Sequence, residues 1–377
     1  MTLTAALTFS YGFAPPISYT RRDAIKAAMK RILVIRLREL GDSLLTTPML
    51  RQLGRLYPQA SIDVLCEPRN EIVFRCHPNI SQCFHFPRKA GLKHFVQLAW
   101  KLRNRRYDWV IDTQSVLKTQ LLTWLTGAPR RHGLSCKPLL SRLTCTHVYS
   151  NGHRRAEYAG YINLKLLRDD RVNLDDLALD FHVSPDDQRE AEQFRNKWLR
   201  PPVAAIYGVS HLPWQCWPTE KFVQLGDRLA KAGFQPLLVY GPGQVEAARQ
   251  IASGMKYPAV VDYPMMSLSV LKGILAGCAI YTGNDGGPKH VACACGVPTV
   301  SVFGALHPEN WTNPIRPDQR FISIRSDCRP IRTIGRCTTA ATLAEIEVDE
   351  VWEQVEWLIQ QGYVDRPANN GQGRKIA

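Results

Sequence analysis

The sequence predicts an α/β protein made of two Rossmann-like, doubly wound halves. From Arg31 onward, short apolar runs alternate with longer amphipathic segments, which is typical of a parallel sheet covered by helices. The chain has 377 residues, more than one hydrophobic core usually organises. An acidic, turn-rich stretch at residues 169–187 interrupts the apolar pattern, and a second series of the same kind follows it. We therefore predict two domains with a central cleft between them.

The domain limits follow from these changes in pattern. Residues 1–28 are predicted to be a disordered extension rather than a secretory leader, because their first basic residue, Arg21, follows the apolar stretch. The first domain is predicted at 29–175, the second at 176–363, and a flexible tail at 364–377.

Each predicted element has the length and composition of its class. In the first half we predict strands at 32–37, 62–65 and 109–112, and helices at 43–57 and 95–104. Pro48 interrupts the first of these helices, because proline removes a backbone donor. In the second half we predict strands at 203–207, 236–240, 279–282 and 299–303, and helices at 219–232, 244–253, 268–275 and 289–295.

The charge balance limits the classes of partner. The 48 Lys and Arg residues outnumber the 33 Asp and Glu residues, for a net charge of +15. Such a chain is attracted to polyanions, unless the excess is only a solvated basic face. No zinc finger or RNP motif is present, so nucleic acid is not expected as a partner. The 11 cysteines lack regular spacing, which favours reduced thiols in a cytosolic compartment.

The segment YTGNDGGPKHVACACGVPTVSVFG, residues 281–304, is the most informative one. A strand runs into a glycine-rich turn, and a helix begins at once. Glycines let the backbone approach a ligand closely, and the free N–H groups of a helix start suit a diphosphate. A tight turn without a ligand is the alternative. The candidate donor-binding residues here are Asn284, Asp285, Gly286, Gly287 and His290.

Three other strand ends carry candidate site residues. RILVIRLRELGDSLLTTPML, residues 31–50, places Asp42 after a strand, where a carboxylate could take a proton from a hydroxyl or simply cap a helix. YGPGQVE adds Gly241 and Gly243, although it lacks the third glycine of a dinucleotide fingerprint. GVSHLPWQCWPTE adds Gln215 between two tryptophans that could stack on a sugar or base, or only pack.

Several motifs are missing from the sequence. There is no GxxxxGK[ST], no HExxH, no GxSxG, and no D-x-D pair of the kind that holds a divalent ion on a sugar nucleotide. Cys328 and Cys337 flank a basic turn without an accompanying CxxC pair. We therefore expect no metal and no cofactor.

Four of these segments in order resemble glycosyltransferase family 9, the ADP-heptose:lipopolysaccharide heptosyltransferases. They are RILVIRLRELGDSLLTTPML, YDWVIDTQ, CWPTEKF and GNDGGPKHVACACGVPTVSVFG, and the resemblance covers residues 31–363. It implies a GT-B architecture and an inverting transfer of heptose from ADP-heptose to an inner-core lipopolysaccharide acceptor. It also implies a cytoplasmic protein peripherally associated with the inner membrane, whose partners are a nucleotide sugar, a phosphorylated glycolipid and an anionic membrane surface.

The resemblance also implies roles for single residues. The aspartate of the family's GD motif corresponds to Asp42, the candidate general base, and the family's D-x-G-x-x-H pattern corresponds to Asp285, Gly287 and His290. Asp285 would then contact sugar hydroxyls, with His290 near the diphosphate. The acceptor's phosphates are assigned to basic residues of the first domain, Arg130, Arg131 and Arg154.

One position departs from the family pattern. Many members have a lysine two residues before the WP of the third motif, whereas this chain has Gln215. Charge neutralisation of the donor must then come from elsewhere, or the donor differs. Transfer of another nucleotide-activated sugar, heptosylation of a protein acceptor, and a non-catalytic nucleotide-sugar-binding protein are the alternatives.

Overall fold

The computed structural model describes the chain in eight stretches. They are residues 29–136, 138–150, 157–167, 171–210, 215–304, 307–313, 321–325 and 341–365. The extension predicted at 1–28 and most of the tail predicted at 364–377 lie outside them, and so do Arg154, Cys328 and Cys337.

The first half forms a six-stranded parallel sheet in the order β3-β2-β1-β4-β5-β6. Its strands are β1 (Arg31–Ile35), β2 (Ser61–Cys66), β3 (Gln82–His85), β4 (Trp109–Asp112), β5 (Arg130–Leu134) and β6 (His147–Tyr149). This is the strand order of a Rossmann sheet, whose connections change direction between β1 and β4. The sequence predicts β1, β2 and β4, but β5 escapes it because this strand has the sequence RRHGL and contains no apolar run.

Helices cover both faces of this sheet. In the described part of the first half they are α1 (Leu40–Leu44), α2 (Thr47–Leu56), α3 (Glu71–Phe74), α4 (Leu92–Asn104), α5 (Leu117–Leu125), α6 (Pro138–Thr144) and α7 (Ala159–Lys165). The single helix predicted at 43–57 is wrong, since the structure has α1 and α2 there. Pro48 lies in the first turn of α2, where its missing N–H costs no hydrogen bond, so it starts a helix.

The second half forms a five-stranded parallel sheet in the order β11-β10-β9-β7-β8. Its strands are β7 (Val203–Tyr207), β8 (Gln235–Leu238), β9 (Ile280–Asn284), β10 (Thr299–Phe303) and β11 (Phe321–Arg325). Its helices are α8 (Pro185–Trp198), α9 (Thr219–Lys231), α10 (Val245–Gly254), α11 (Leu268–Leu275), α12 (Gly287–Ala294), α13 (Ala341–Ala344) and α14 (Val348–Gln360). The connections of this sheet change direction between β7 and β9. Two parallel sheets covered by helices confirm the predicted α/β class.

The core alternates across β1, as the period of a strand requires. Ile32 and Val34 pack in one apolar cluster with α2 and α7, while Leu33 and Ile35 pack on the other face in a second cluster with α4 and α5. Every residue of β7, β9 and β10 is buried, as expected for central strands of a covered parallel sheet.

The two halves meet at the carboxyl ends of their sheets. α1 follows β1, α12 follows β9, and these two helices contact each other. Each helix follows a strand at which the strand order of its sheet reverses, and open α/β sheets bind ligands at such points. The connection between the halves is held against the first half, because Arg51 on α2 forms ion pairs with Asp176 and Asp180 in that connection. Among the described residues, no helix is both long and apolar enough to cross a bilayer.

Candidate active site

Asp42 lies on α1, directly beyond the carboxyl end of β1. Its Oδ2 atom is 2.8 Å from Nη2 of Arg36, whose side chain is 5% exposed. Nη1 of Arg36 donates to the carbonyl of Thr113, at the end of β4, over 2.8 Å. Two neighbouring strand ends thus fix the orientation of the Asp42 carboxylate.

The pKa of Asp42 is raised above its ordinary value. Burial of the carboxylate is the largest cause, and the negative charges of Glu39 and Asp285 raise the pKa further, while the Arg36 guanidinium opposes them. A carboxylate with a raised pKa accepts a proton more readily than a free aspartate does. The contribution of Asp285 also indicates that the two predicted carboxylates, one from each half, lie close enough to interact.

Glu39, three residues before Asp42, has a strained backbone. Its φ of 55° and ψ of 131° lie in a region that side chains with a Cβ rarely adopt. Such strain persists only where surrounding contacts maintain it, and it is found most often at functional sites. The sequence offers no signal for it, because glutamate is not a turn residue.

Asp285 is held by a lysine that sequence analysis did not select. Nζ of Lys289, one turn further along, is 2.7 Å from Oδ1 of Asp285, and the lysine side chain is 1% exposed. The same Nζ donates to the Trp311 carbonyl at 3.2 Å and lies 4.7 Å from the ring centroid of Phe303. A signal was available, since Lys289 precedes the apolar run VACA in the helix GPKHVACA, and a lysine buried among apolar residues is costly unless it is paired.

His290 lies against the backbone of Gly41, across the boundary between the halves. A Cβ placed on Gly41 would be 2.5 Å from Cδ2 of His290, so any other residue there would require one of the two to shift. Gly287 lies close to Leu40 in the same way, because a Cβ placed on Gly287 would be 2.7 Å from Cδ2 of Leu40. Burial holds the pKa of His290 well below its usual range, with the charge of Lys289 adding to the effect, so the imidazole is neutral at pH 7.

Asn284 is buried at the end of β9 and is engaged within the protein. Its Oδ1 accepts a hydrogen bond of 2.9 Å from the backbone N–H of Trp217, and its Nδ2 donates to the Val209 carbonyl at 3.4 Å. The side chain therefore ties the tryptophan-containing loop to the turn after β9. Gln215 lies in the described part of that loop and is half-buried.

Gly241 and Gly243 form the turn after β8. The N–H of Gly241 donates to Oε1 of Gln244 over 2.8 Å, and Gly243 has a φ of +77°, which favours glycine. Tyr207, at the end of β7, packs against the neighbouring turn after β9, because a Cβ on Gly286 would lie 3.2 Å from its Cε1. Tyr207 is a second residue that sequence analysis missed.

Two of the candidate acceptor arginines, Arg130 and Arg131, are not brought to this site. Arg130 and Arg131 open β5, and Arg130 pairs in register with Trp109, so both lie at the amino edge of the sheet, opposite Asp42. Arg130 packs over the Trp109 ring, with its guanidinium carbon 3.8 Å from the centroid, and Arg131 donates to the Thr144 carbonyl over 2.8 Å.

The described residues contain one group whose side chains could hold a metal ion. It consists of His77, Asp180 and His182, and it includes neither Asp42 nor Asp285. The guanidinium of Arg51 already neutralises Asp180 by an ion pair. Burial, His182 and Arg51 lower the pKa of His77 to about 4. A cation would have to compete with Arg51 for this carboxylate.

Residues 95–338, more than half of the chain, match the family described as glycosyltransferase family 9 (heptosyltransferase). The chain is 26% identical over 318 residues to lipopolysaccharide heptosyltransferase 1 of Pseudomonas aeruginosa, which covers 80% of this chain and 85% of the relative. It is 23% identical over 348 residues to lipopolysaccharide heptosyltransferase 2 of Escherichia coli K12, covering 88% of this chain and 99% of the relative.

Solved structures have the same fold. A family 9 glycosyl transferase from Veillonella parvula aligns with a TM-score of 0.78 at 22% identity, covering 88% of this chain and 98% of that one. E. coli ADP-heptose lps heptosyltransferase II aligns with a TM-score of 0.69 at 22% identity, covering 89% and 99%. The predicted GT-B architecture is thereby confirmed.

Proposed function

Because the chain belongs to glycosyltransferase family 9, the heptosyltransferase family, we propose that it transfers heptose from ADP-heptose to an inner-core lipopolysaccharide acceptor. The observation that carries this proposal is the contact between α1, which carries Asp42, and α12, which follows Asp285 in the chain. Asp42 follows β1, Asp285 follows β9, and the charge of Asp285 contributes to the raised pKa of Asp42. A donor bound to one half and an acceptor bound to the other would react at this boundary.

The proposed reaction is a single displacement. Asp42 removes the proton from an acceptor hydroxyl, and that oxygen forms a bond to the anomeric carbon of the donor. The bond from this carbon to the diphosphate oxygen breaks, and the configuration is inverted. A correctly placed general base contributes roughly 10²–10⁴-fold to such a step. The charge of Arg36 opposes the rise in the pKa of Asp42, and its guanidinium, 2.8 Å from Oδ2, orients the carboxylate.

The donor is proposed to occupy the turn between β9 and α12. The backbone of Gly286 and Gly287 leads into the amino end of α12, where free N–H groups favour a diphosphate. His290 is neutral, so it would donate an uncharged hydrogen bond to a phosphate oxygen. Asp285, paired with Lys289, would accept hydrogen bonds from sugar hydroxyls. Asn284 would act by holding the tryptophan loop in place.

The departing diphosphate is proposed to be stabilised without a metal ion. An enzyme can supply positive charge with a divalent ion or with oriented N–H groups and basic side chains. The sequence has no D-x-D pair, and the second set of groups is present in the glycine turn. Gln215 stands where many members of the family have a lysine, so one basic side chain fewer is available to the diphosphate.

The contact between Gly41 and His290 suggests that the halves move apart for substrate entry. α1 contacts α12 and Leu40 lies close to Gly287, so separation of the halves would widen the way to the amino end of α12. Opening and closing of two domains around a substrate is a common way to exclude water from a transfer reaction. We propose that the described arrangement is the closed one, in which Asp42 and Asp285 approach each other.

The acceptor is proposed to be a phosphorylated glycolipid, reached from the cytoplasmic side of the inner membrane. The relatives are enzymes of lipopolysaccharide assembly, and the net charge of +15 suits an anionic substrate. Arg130 and Arg131 are poor candidates for this contact because they lie at the opposite sheet edge.

The test is incubation of the enzyme with a panel of nucleotide sugars and an inner-core acceptor lacking heptose, followed by mass spectrometry. Formation of a heptosylated lipid from ADP-heptose alone supports the proposal. Transfer of another sugar, or modification of a protein in a parallel reaction, favours the alternatives within the family. Binding of ADP-heptose without any product would favour a non-catalytic nucleotide-sugar-binding protein.

A further inference from the structure

Three neighbouring helices of the first half expose large apolar side chains. α4 contacts α5, and α5 contacts α6. On α4 the exposed side chains recur every fourth residue, which aligns them in one stripe of the helix. We define the α4–α6 face by seven exposed side chains, Leu92, Val96 and Trp100 on α4, Leu117 and Trp124 on α5, and Leu139 and Leu143 on α6.

This face concentrates the exposed apolar surface of the protein. Trp100 is 70% exposed and Leu139 is 77% exposed. Among the described residues, the other exposed large apolar side chains are Val148 on β6, the edge strand beside β5, and Tyr257 and Met265 in the second half. Single exposed apolar residues are normal, whereas a cluster of them indicates a surface that meets a partner or a membrane.

The same part of the chain carries nearly all of the net positive charge. Residues 72–156 contain 15 Lys and Arg residues against two carboxylates, Asp108 and Asp112, so all but two of the chain's net +15 charges lie here. None of the helices α4, α5 and α6 contains an aspartate or glutamate. Lys93, Lys101 and Arg142 are exposed beside the apolar side chains.

The face adjoins the candidate active site. α4 begins after the carboxyl end of β3 and α5 begins after the carboxyl end of β4, so Leu92 and Leu117 lie at the sheet edge that also carries Asp42. Arg36 bonds Asp42 and reaches the Thr113 carbonyl in the loop before α5. A lipid held under α4 and α5 would therefore have its polar end near the boundary between the halves.

We propose that the α4–α6 face docks on an anionic lipid bilayer, with its apolar side chains in the interface and its basic side chains on the lipid phosphates. A second copy of this chain is the less favourable occupant, because two surfaces of such strong positive charge would repel each other. Apolar anchors among lysines and arginines, with no acidic residues, are what an anionic membrane surface binds. Docking itself does not depend on the proposed function. Only the identity of the lipid acceptor that would be presented to the active site rests on that function.

The test is co-sedimentation of the full chain with vesicles of phosphatidylglycerol and phosphatidylcholine, compared with phosphatidylcholine alone. The double variant Trp100→Ser/Leu139→Ser should lower vesicle affinity at least about tenfold, because these side chains supply apolar area that docking would bury in the membrane interface. Replacing them should leave the fold intact, since both are exposed in the free protein. The control Tyr257→Ser/Met265→Gln, exposed in the second half, should bind like the wild type.

Charge variants test the proposed contact between basic side chains and lipid phosphates. Lys93→Gln/Arg142→Gln should reduce binding to the phosphatidylglycerol vesicles at least about fivefold and abolish most of the preference over phosphatidylcholine. Lys231→Gln/Lys256→Gln, also exposed but in the second half, should not. Equal binding by all of these variants would overturn the proposal.

Two further measurements distinguish membrane docking from dimer formation and from the proposed transfer activity. Light scattering shows whether the chain is a dimer, and loss of a dimer in Trp100→Ser/Leu139→Ser with unchanged vesicle binding would mean that a second copy covers the face. Transfer to a detergent-free, deacylated acceptor should be unchanged in the same variant. A wild type that binds vesicles but transfers no sugar would refute the proposed function and leave the docking surface standing.

Discussion

The imidazole of His290 lies against the backbone of Gly41, so the two halves touch where their sheets end. We predict that Gly41→Ala lowers kcat/KM at least about tenfold, because its Cβ would be 2.5 Å from Cδ2 of His290 and one of the two must move. Steady-state transfer kinetics measure this. Gly91→Ala is the matched control, since a Cβ there meets no atom within 4 Å. Equal activity of both variants would mean that the contact is incidental.

The two donor-binding candidates should separate in calorimetry. His290→Ala should weaken binding of ADP and of ADP-heptose, whereas Asp285→Asn should weaken ADP-heptose and leave ADP nearly unchanged, because the aspartate is assigned to the sugar. Asparagine is preferred to alanine here, because its amide oxygen can still accept a hydrogen bond from the buried Lys289 ammonium, which alanine would leave without this partner. If neither variant affects the intact donor, the site after β9 is misassigned.

Chelation should not stop the reaction. Activity is expected to persist in excess EDTA, measured beside reactions with added Mg²⁺ or Mn²⁺. In a binding titration, Gln215→Lys should tighten ADP, with about 1.5–3 kcal/mol as the upper scale of a charge-assisted hydrogen bond, reduced by the half-exposed position. Complete loss of activity on chelation, restored by one of the ions, would reveal a metal site involved in catalysis.

Asp112 should make stability fall as pH rises. Burial raises its pKa to about 6 in the folded protein, from 3.8. Between these values the folded state binds more proton than the unfolded state, so stability decreases from about pH 4 to pH 6, by up to about 3 kcal/mol. Urea unfolding of the wild type and Asp112→Asn across this range isolates the effect. A difference between the two proteins that does not change with pH would contradict the assignment.

The sequence predicts the fold class and the two strand ends that carry the site, because periodic apolar runs and glycine turns are local signals. It misses features that depend on distant partners. Lys289 and Arg36 pair with nearby residues, Asp285 and Asp42. The groups that hold these two basic side chains in place are distant in the chain, namely the Trp311 carbonyl for Lys289 and the Thr113 carbonyl for Arg36. Arg130 was selected for its charge, whereas its position is decided by the register of β5, which lacks an apolar run.

Asn284 illustrates the same limit. A polar residue at a strand end is compatible with a ligand or with a neighbouring loop, and only the structure reveals its hydrogen bond to the Trp217 backbone. Pro48 has two compatible readings as well, a helix interruption and a helix start, and the second one applies.

The central claim is that Asp42 is the general base, and Asp42→Asn tests it most directly. The substitution keeps size and hydrogen bonding but removes basicity. Transfer from ADP-heptose to the inner-core acceptor is measured for this variant and the wild type, with ADP affinity as the control. The predicted result is a loss of kcat of roughly 10²–10⁴-fold with ADP affinity nearly unchanged. Retention of more than about a tenth of the wild-type kcat would contradict the claim, because general-base catalysis contributes more than that.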